Sequence, residues 1–272
     1  MTNPTTNLKT DWLTVVAIGF IVTSVSVAFH EGLHAWSCAA YGQLLEFGAL
    51  YVDCNQIHMT SGQIRFEAGI SAIGNIIVGA ILWFVLRQPR AWSANIKLLL
   101  WYFMFANFLS GTGYWMLSGI AGIGDYAVVI AGLEPAWLWR VGMAIIGTGS
   151  YMFVVFLSLQ VWGSMIGGDV EEEQINRSVK IGLVLYGASL LTTIVSGLFN
   201  PYGFGSFPVV IGIIATAGSA FPLVWMMQWF RAKMFVKKTG PALIVQRDWM
   251  LIGVGVVCFV LYTAVLGSTL YF

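Results

Sequence analysis

An uncharged apolar run, Trp12 to Phe29, leads directly into His30-Glu31-Gly32-Leu33-His34. The run is long enough to cross the roughly 30 Å hydrocarbon core of a bilayer as a helix, so the His-Glu-x-x-His pattern sits on a membrane helix. One helical turn separates His30 from His34, which puts both imidazoles on one face and within reach of one metal ion. Glu31 stands beside them, where a carboxylate can act as general base on a metal-held water. Polar groups at membrane depth are costly, so the trio reads as a metal site ahead of the structural alternative, a polar cluster joining helices.

Composition strengthens that reading. Only 9% of the 272 residues are charged and three are histidine, so a chance His-Glu-x-x-His is improbable here. With 58% hydrophobic residues and a mean hydropathy of +0.81, the chain reads as an all-α polytopic membrane protein. Apolar stretches near 12–40, 69–86, 97–118, 137–162, 180–199, 208–230 and 249–270 predict six to seven transmembrane helices, the first ending at Gly42. Lys9 alone flanks the first run, and cleavage near Ala39-Ala40 would discard the motif, so the run is expected to be a retained span.

Between spans, Gly119-Ile-Ala-Gly-Ile-Gly-Asp125 precedes an apolar piece that ends at Glu134-Pro135. It is too short to span and predicts a half helix near 125–134, which a membrane protein accommodates only against protein or a cavity. Alternation of Leu45, Phe47, Ala49 and Tyr51 with their neighbours predicts a membrane-associated β segment near 43–64: two short strands, with Asp53-Cys54-Asn55-Gln56 as the turn. Gly111, Gly113, Gly119, Gly122 and Gly124 suit close helix packing, or a hinge.

The net charge of +1 gives no sign of a nucleic-acid partner. Cys38, Cys54 and Cys258 form no disulfide framework, and Cys38 reads as a small packing residue. Arg87, Arg90 and Lys97 flank one connection, and Arg231, Lys233, Lys237, Lys238 and Arg247 flank the last. The positive-inside rule then predicts a cytoplasmic N-terminus, with His30 and His34 toward the outer face. Glu171, Glu172 and Glu173 fall on an inside loop and read as a solvated face.

A catalytic zinc takes three protein ligands and one open position. The candidates for the third are Glu46, Asp53, His58, Glu67 and Asp125. Asp125 leads, because a carboxylate in the embedded part with no basic neighbour in sequence needs a cation. It also suits the N-cap of the half helix, and Glu46 and His58 are its main rivals.

These residues resemble the intramembrane zinc metalloproteases of the site-2 protease group, peptidase family M50. His30, Glu31 and His34 match that family's first motif, and 43–64 its β segment. Ala68-Gly69-Ile70-Ser71-Ala72-Ile73-Gly74-Asn75 is similar to its A-G-P-x-x-N motif, and Gly124-Asp125 stands where its L-D-G stands. The resemblance covers about 12–135, which divides the chain into a metalloprotease core, 1–135, and further spans of the same membrane domain, 136–272. It implies Zn²⁺ held by His30, His34 and Asp125, with Glu31 passing the proton of the attacking water to the leaving amine. Asn75 or Asn107 would then hydrogen-bond the substrate backbone or oxyanion, or else join helices. The substrate would be a membrane protein or membrane-associated peptide, unwound and added as a strand to the β segment. The alternatives are a non-catalytic relative that binds membrane segments or metal, and a metal- or proton-linked transporter; no inverted repeat supports the latter.

Overall fold

In the computed structural model, which describes residues 9–167, 171–230 and 243–272, the first span begins at a side-chain cap. Asp11 accepts the Thr14 amide at 2.9 Å and starts α1, Trp12–Ala40. A capping box starts α2, Ser61–Arg87: Thr60 accepts the Gln63 amide at 3.3 Å, and the Gln63 side chain accepts the Thr60 amide at 2.8 Å. Ser93 caps α3, Ala94–Ala121. A single short helix follows, α4, Asp125–Val129, in place of the half helix expected to reach 134. Beyond it run α5, Ala136–Met165; α6, Glu171–Leu198; α7, Phe207–Ala220; α8, Pro222–Trp225; and α9, Trp249–Val260. A 3-10 stretch, Met226–Phe230, continues α8, and a π-helical stretch, Leu261–Leu266, continues α9.

The chain is an all-α polytopic membrane protein with one small sheet. Among the described residues, six segments are long and apolar enough to cross a bilayer: α1, α2, α5, α6, Phe207–Trp229, and Trp249–Leu266. The 208–230 span is interrupted at Phe221-Pro222, because a proline offers no amide to the helix ladder. The expected span at 97–118 lies within α3, which is 28 residues long but is not one of those six segments. It packs against α1, α2, α5 and α7, burying Trp101, Met104, Phe105 and Leu109. Glu171–Glu173, expected on a loop, form the first residues of α6. One apolar core runs from Val15 on α1 to Leu251 on α9, so the two halves of the chain share it. Arg231, Lys233, Lys237 and Lys238 lie outside the described residues.

The β segment differs in register from its sequence reading. Leu44–Phe47 (β1) and Val52–Cys54 (β2) pair antiparallel, so Asp53 and Cys54, expected in the turn, belong to the second strand. The turn falls at 48–51, where the Gly48 amide donates to the Tyr51 carbonyl at 3.0 Å. Burial explains the shift: Ala49 and Leu50 at the tip are drawn into contact with Val209 and Tyr262. Ile57–Ile64, read as a strand, is a 3-10 turn at Gln56–His58 and then the start of α2. A third strand, β3, Leu270–Tyr271, pairs with the other edge of β1, giving the order β2-β1-β3. Cys38 is not a lone packing residue either. It forms a disulfide with Cys54, tying β2 to the last turn of α1.

The glycines of α3 serve close packing. A Cβ on Gly111 would lie 2.5 Å from the Ala72 carbonyl oxygen of α2, and one on Gly119 would strike the Ala144 backbone of α5. Gly111→Ala should therefore cost about 1–3 kcal/mol, seen as a lower melting temperature in detergent. Asp11 makes a second tie, to Arg247 Nε at 2.6 Å. Burial alone would raise this carboxyl, but the Thr14 amide, Arg247 and the Thr14 hydroxyl outweigh it and hold its pKa below 3.8. A lowered carboxyl pKa stabilises the fold above the unfolded value, and that stability is lost as pH falls through the folded value. On acidification below 3.8, melting of the native protein should fall more steeply than that of Asp11→Asn.

Candidate metal centre

A polar stripe on α2 meets the His-Glu-x-x-His turn of α1. Glu67, Ser71 and Asn75 recur at every fourth residue, so they share one helix face. His34 Nδ1 lies 2.9 Å from both the carbonyl oxygen and the Oε1 of Glu67. Ser71 donates its hydroxyl to the His30 carbonyl at 2.7 Å, and His30 Nδ1 lies 2.8 Å from Asn75 Oδ1. The chain of bonds continues into α3 and back. Asn75 donates to Asn107 Oδ1 at 2.8 Å, and Asn107 donates to Ser26 Oγ at 3.0 Å and the Phe103 carbonyl at 2.9 Å. Asn75, Asn107 and Ser71 are fully buried, where every polar group needs its partner.

These bonds fix the histidine tautomers. The Asn75 amide nitrogen is committed to Asn107, so its oxygen accepts and His30 carries its proton on Nδ1. The Glu67 carbonyl can only accept, so His34 also carries its proton on Nδ1. Both Nε2 atoms are left as bare acceptors. They face one carboxylate oxygen, Asp125 Oδ2, at 3.1 Å from His30 and 3.4 Å from His34. That oxygen is buried and has no hydrogen bond among the described residues. Three acceptors turned on one another repel unless a cation lies between them. Their spacing fits one: donor atoms about 2.0–2.1 Å from a tetrahedral metal stand roughly 3.3 Å apart. His30, His34 and Asp125 are thus placed to hold a metal ion.

Asp125 reaches this position through the Gly-rich turn. Gly124 is the cap residue of α4, with φ 84°, and Asp125 is the first helical residue, its side chain turned to the histidines. The N-cap role open to Asp125 therefore falls to Gly124. Glu31 is buried beside the group and, with His34 and Asp125, forms the floor of a cleft of about 280 Å³. Leu50, Val52, Val128, Phe207 and Ile211 make its walls apolar.

The other candidate ligands lie elsewhere. Glu46 accepts the Tyr51 hydroxyl at 3.0 Å and the Tyr202 hydroxyl at 2.6 Å, holding the sheet to the loop before α7. Asp53 is exposed and pairs across the hairpin from Glu46, and His58 is exposed on its 3-10 turn. Glu67 joins the site from behind, on the nitrogen of His34 that faces away from Asp125. Asn75 and Asn107, expected either to meet substrate or to join helices, join helices; neither lines the cleft.

Ser71, Ser26 and the disulfide were not foreseen as parts of this assembly. The four-residue recurrence of Glu67, Ser71 and Asn75 on an otherwise apolar helix was the signal that could have revealed the stripe. Outer partners of metal ligands typically contribute about 10–100-fold in affinity. Glu67→Gln or Asn75→Ala should weaken metal binding by that factor, measured by competition with a chelating indicator. No family model, curated protein or solved structure matches the chain.

Proposed function

We propose that this protein is a zinc-dependent protease acting within or at the edge of the membrane, similar in its catalytic layout to the site-2 protease group. The observation that carries the reading is the convergence of three bare acceptors, His30 Nε2, His34 Nε2 and Asp125 Oδ2, beside the buried carboxylate of Glu31. Two imidazoles and one carboxylate, with a cleft on the open side, form a catalytic zinc donor set. Zinc, when bound, supplies Lewis acidity to the scissile carbonyl and makes water acidic enough to attack near neutral pH.

The chain's own residues do the rest. Glu31 takes a proton from the attacking water as its oxygen bonds to the carbonyl carbon. It returns the proton to the amide nitrogen as the C–N bond breaks, leaving a carboxylic acid and an amine. Glu67 and Asn75 hold the two imidazoles in the required tautomer. Apolar walls around a polar floor suit an unwound apolar segment. β2 carries an edge unpaired among the described residues, and its Val52 lines the cleft, which supports substrate addition as a strand.

Two features support a site on the outer, oxidising side. The Cys38–Cys54 disulfide lies at the cleft end of α1, and disulfides persist in oxidising compartments. Arg87, Arg90 and Lys97 cluster at the other end of α2 and α3, where the positive-inside rule expects cytoplasm.

The test is reconstitution in liposomes with a panel of single-span peptides. Fragments that vanish with 1,10-phenanthroline and return with zinc support the reading. Intact peptides throughout, under conditions where the protein retains its metal, would refute it in favour of binding or transport.

A further inference from the structure

Tyr114 stacks on His30, with ring centroids 4.7 Å apart and planes 12° from parallel. It lies two turns beyond Asn107 on α3, on the same helix face. Gly124 lies beside it: a Cβ there would stand 3.4 Å from Tyr114 Cδ1, in van der Waals contact with the ring. Tyr114 thus stacks on a metal-facing imidazole and lies next to the residue preceding Asp125. It lines the cleft together with Glu31, His34 and Asp125.

The Tyr114 hydroxyl has no hydrogen bond among the described residues, and unlike the carboxylates of Glu31 and Asp125, which only accept, it can donate into the cleft. Tyr51 is bonded to Glu46 and Thr269, each at 3.0 Å. Glu67 and the Nδ1 of His34 are bonded to each other, and Gln56 is exposed at the mouth. Asn75 and Asn107 are committed to the network behind His30. Amide hydrolysis builds negative charge on the carbonyl oxygen, and a preorganised donor at that point is worth far more in a water-poor site than in bulk.

We propose that Tyr114 is a further catalytic residue, donating its phenolic O–H to the substrate oxyanion while Glu31 handles the proton of the attacking water. The assignment rests on the protease reading. Tyr114 transfers no proton, so the balance of the hydrolysis is unchanged. Because the ring stacks on His30 and has no bond to its oxygen among the described residues, Tyr114→Phe removes the donor and keeps the stack.

The experiment uses the full chain in detergent, loaded with cobalt(II) so that ligand binding is read from the visible absorption of the metal. Acetohydroxamate places an oxygen where the oxyanion forms, and azide binds metal without one. Tyr114→Phe should take up the same amount of cobalt, bind azide unchanged, and bind acetohydroxamate about 10–100-fold more weakly, the factor for a hydrogen bond to a charged group. With a cleaved peptide, kcat should fall about 10²–10³-fold at unchanged KM. Equal acetohydroxamate affinity in the two proteins, with cobalt retained, would overturn the assignment and leave the protease reading standing. Azide weakened as much as acetohydroxamate would overturn it too, showing a displaced metal site. Failure of the native protein to take up metal would instead remove the reading beneath it.

Discussion

Asp125→Ala is expected to strip the metal from the protein while leaving the fold intact. The carboxylate oxygen is the only one of the three converging acceptors not held in place by a partner of its own. Its position depends on the turn that Gly124 starts, not on the α1–α2 network. Removing it therefore deletes a ligand without disturbing Asn75, Glu67 or Ser71. Outer partners of metal ligands contribute about 10–100-fold in affinity, so loss of a ligand itself must exceed that. Equilibrium dialysis against a zinc buffer should show affinity lower by more than about 100-fold, with melting of the metal-free protein unchanged or raised. A rise is reasonable, because the substitution also removes an acceptor that faces two others. Unchanged zinc affinity would move the third ligand elsewhere.

The second large effect separates chemistry from binding. Glu31→Gln preserves size and polarity at a buried position but removes the base. Metal content should match that of the native protein, because Glu31 is not one of the three converging ligands. Cleavage should fall by about 10²–10⁴-fold, the contribution of general acid–base catalysis. The proton is handled twice, once from water and once to the amine, so the upper end is expected. Intact substrate should accumulate bound to the variant. A binding protein would be indifferent to this change, and a transporter would show altered flux with no fragments at all.

How much of this was legible in the sequence depends on whether the signal was local. His30, Glu31 and His34 declare themselves because a helix makes their spacing a geometry. Asp125 was readable through burial cost, since a carboxylate amid apolar residues needs a cation. Six membrane spans followed from length and apolarity, whereas the stretch at 97–118 forms α3, a helix outside those six whose Asn107 serves contacts inside the bundle. The turn of the hairpin was misplaced because its determinant is tertiary: Leu50 and Ala49 are buried against Val209 and Tyr262, far along the chain. The pairing of Cys38 with Cys54 depends on how the hairpin folds back on α1, and β3 on where the last helix ends. The double meaning of Asn75 and Asn107, substrate contact or helix contact, could be resolved only by seeing which atoms their amides face. Tyr114 carried no local signal, since tyrosine in an apolar helix is ordinary until a stacked imidazole and a hydroxyl with no partner among the described residues are seen together.

The central claim is that two imidazoles and one carboxylate converge to hold a metal. Elemental analysis of the purified, detergent-solubilised protein, beside His34→Ala, tests it most directly. The account predicts near-stoichiometric zinc in the native protein and its disappearance in the variant. A native protein that holds no metal after zinc is resupplied, or a His34→Ala variant that holds as much as the native protein, would contradict it.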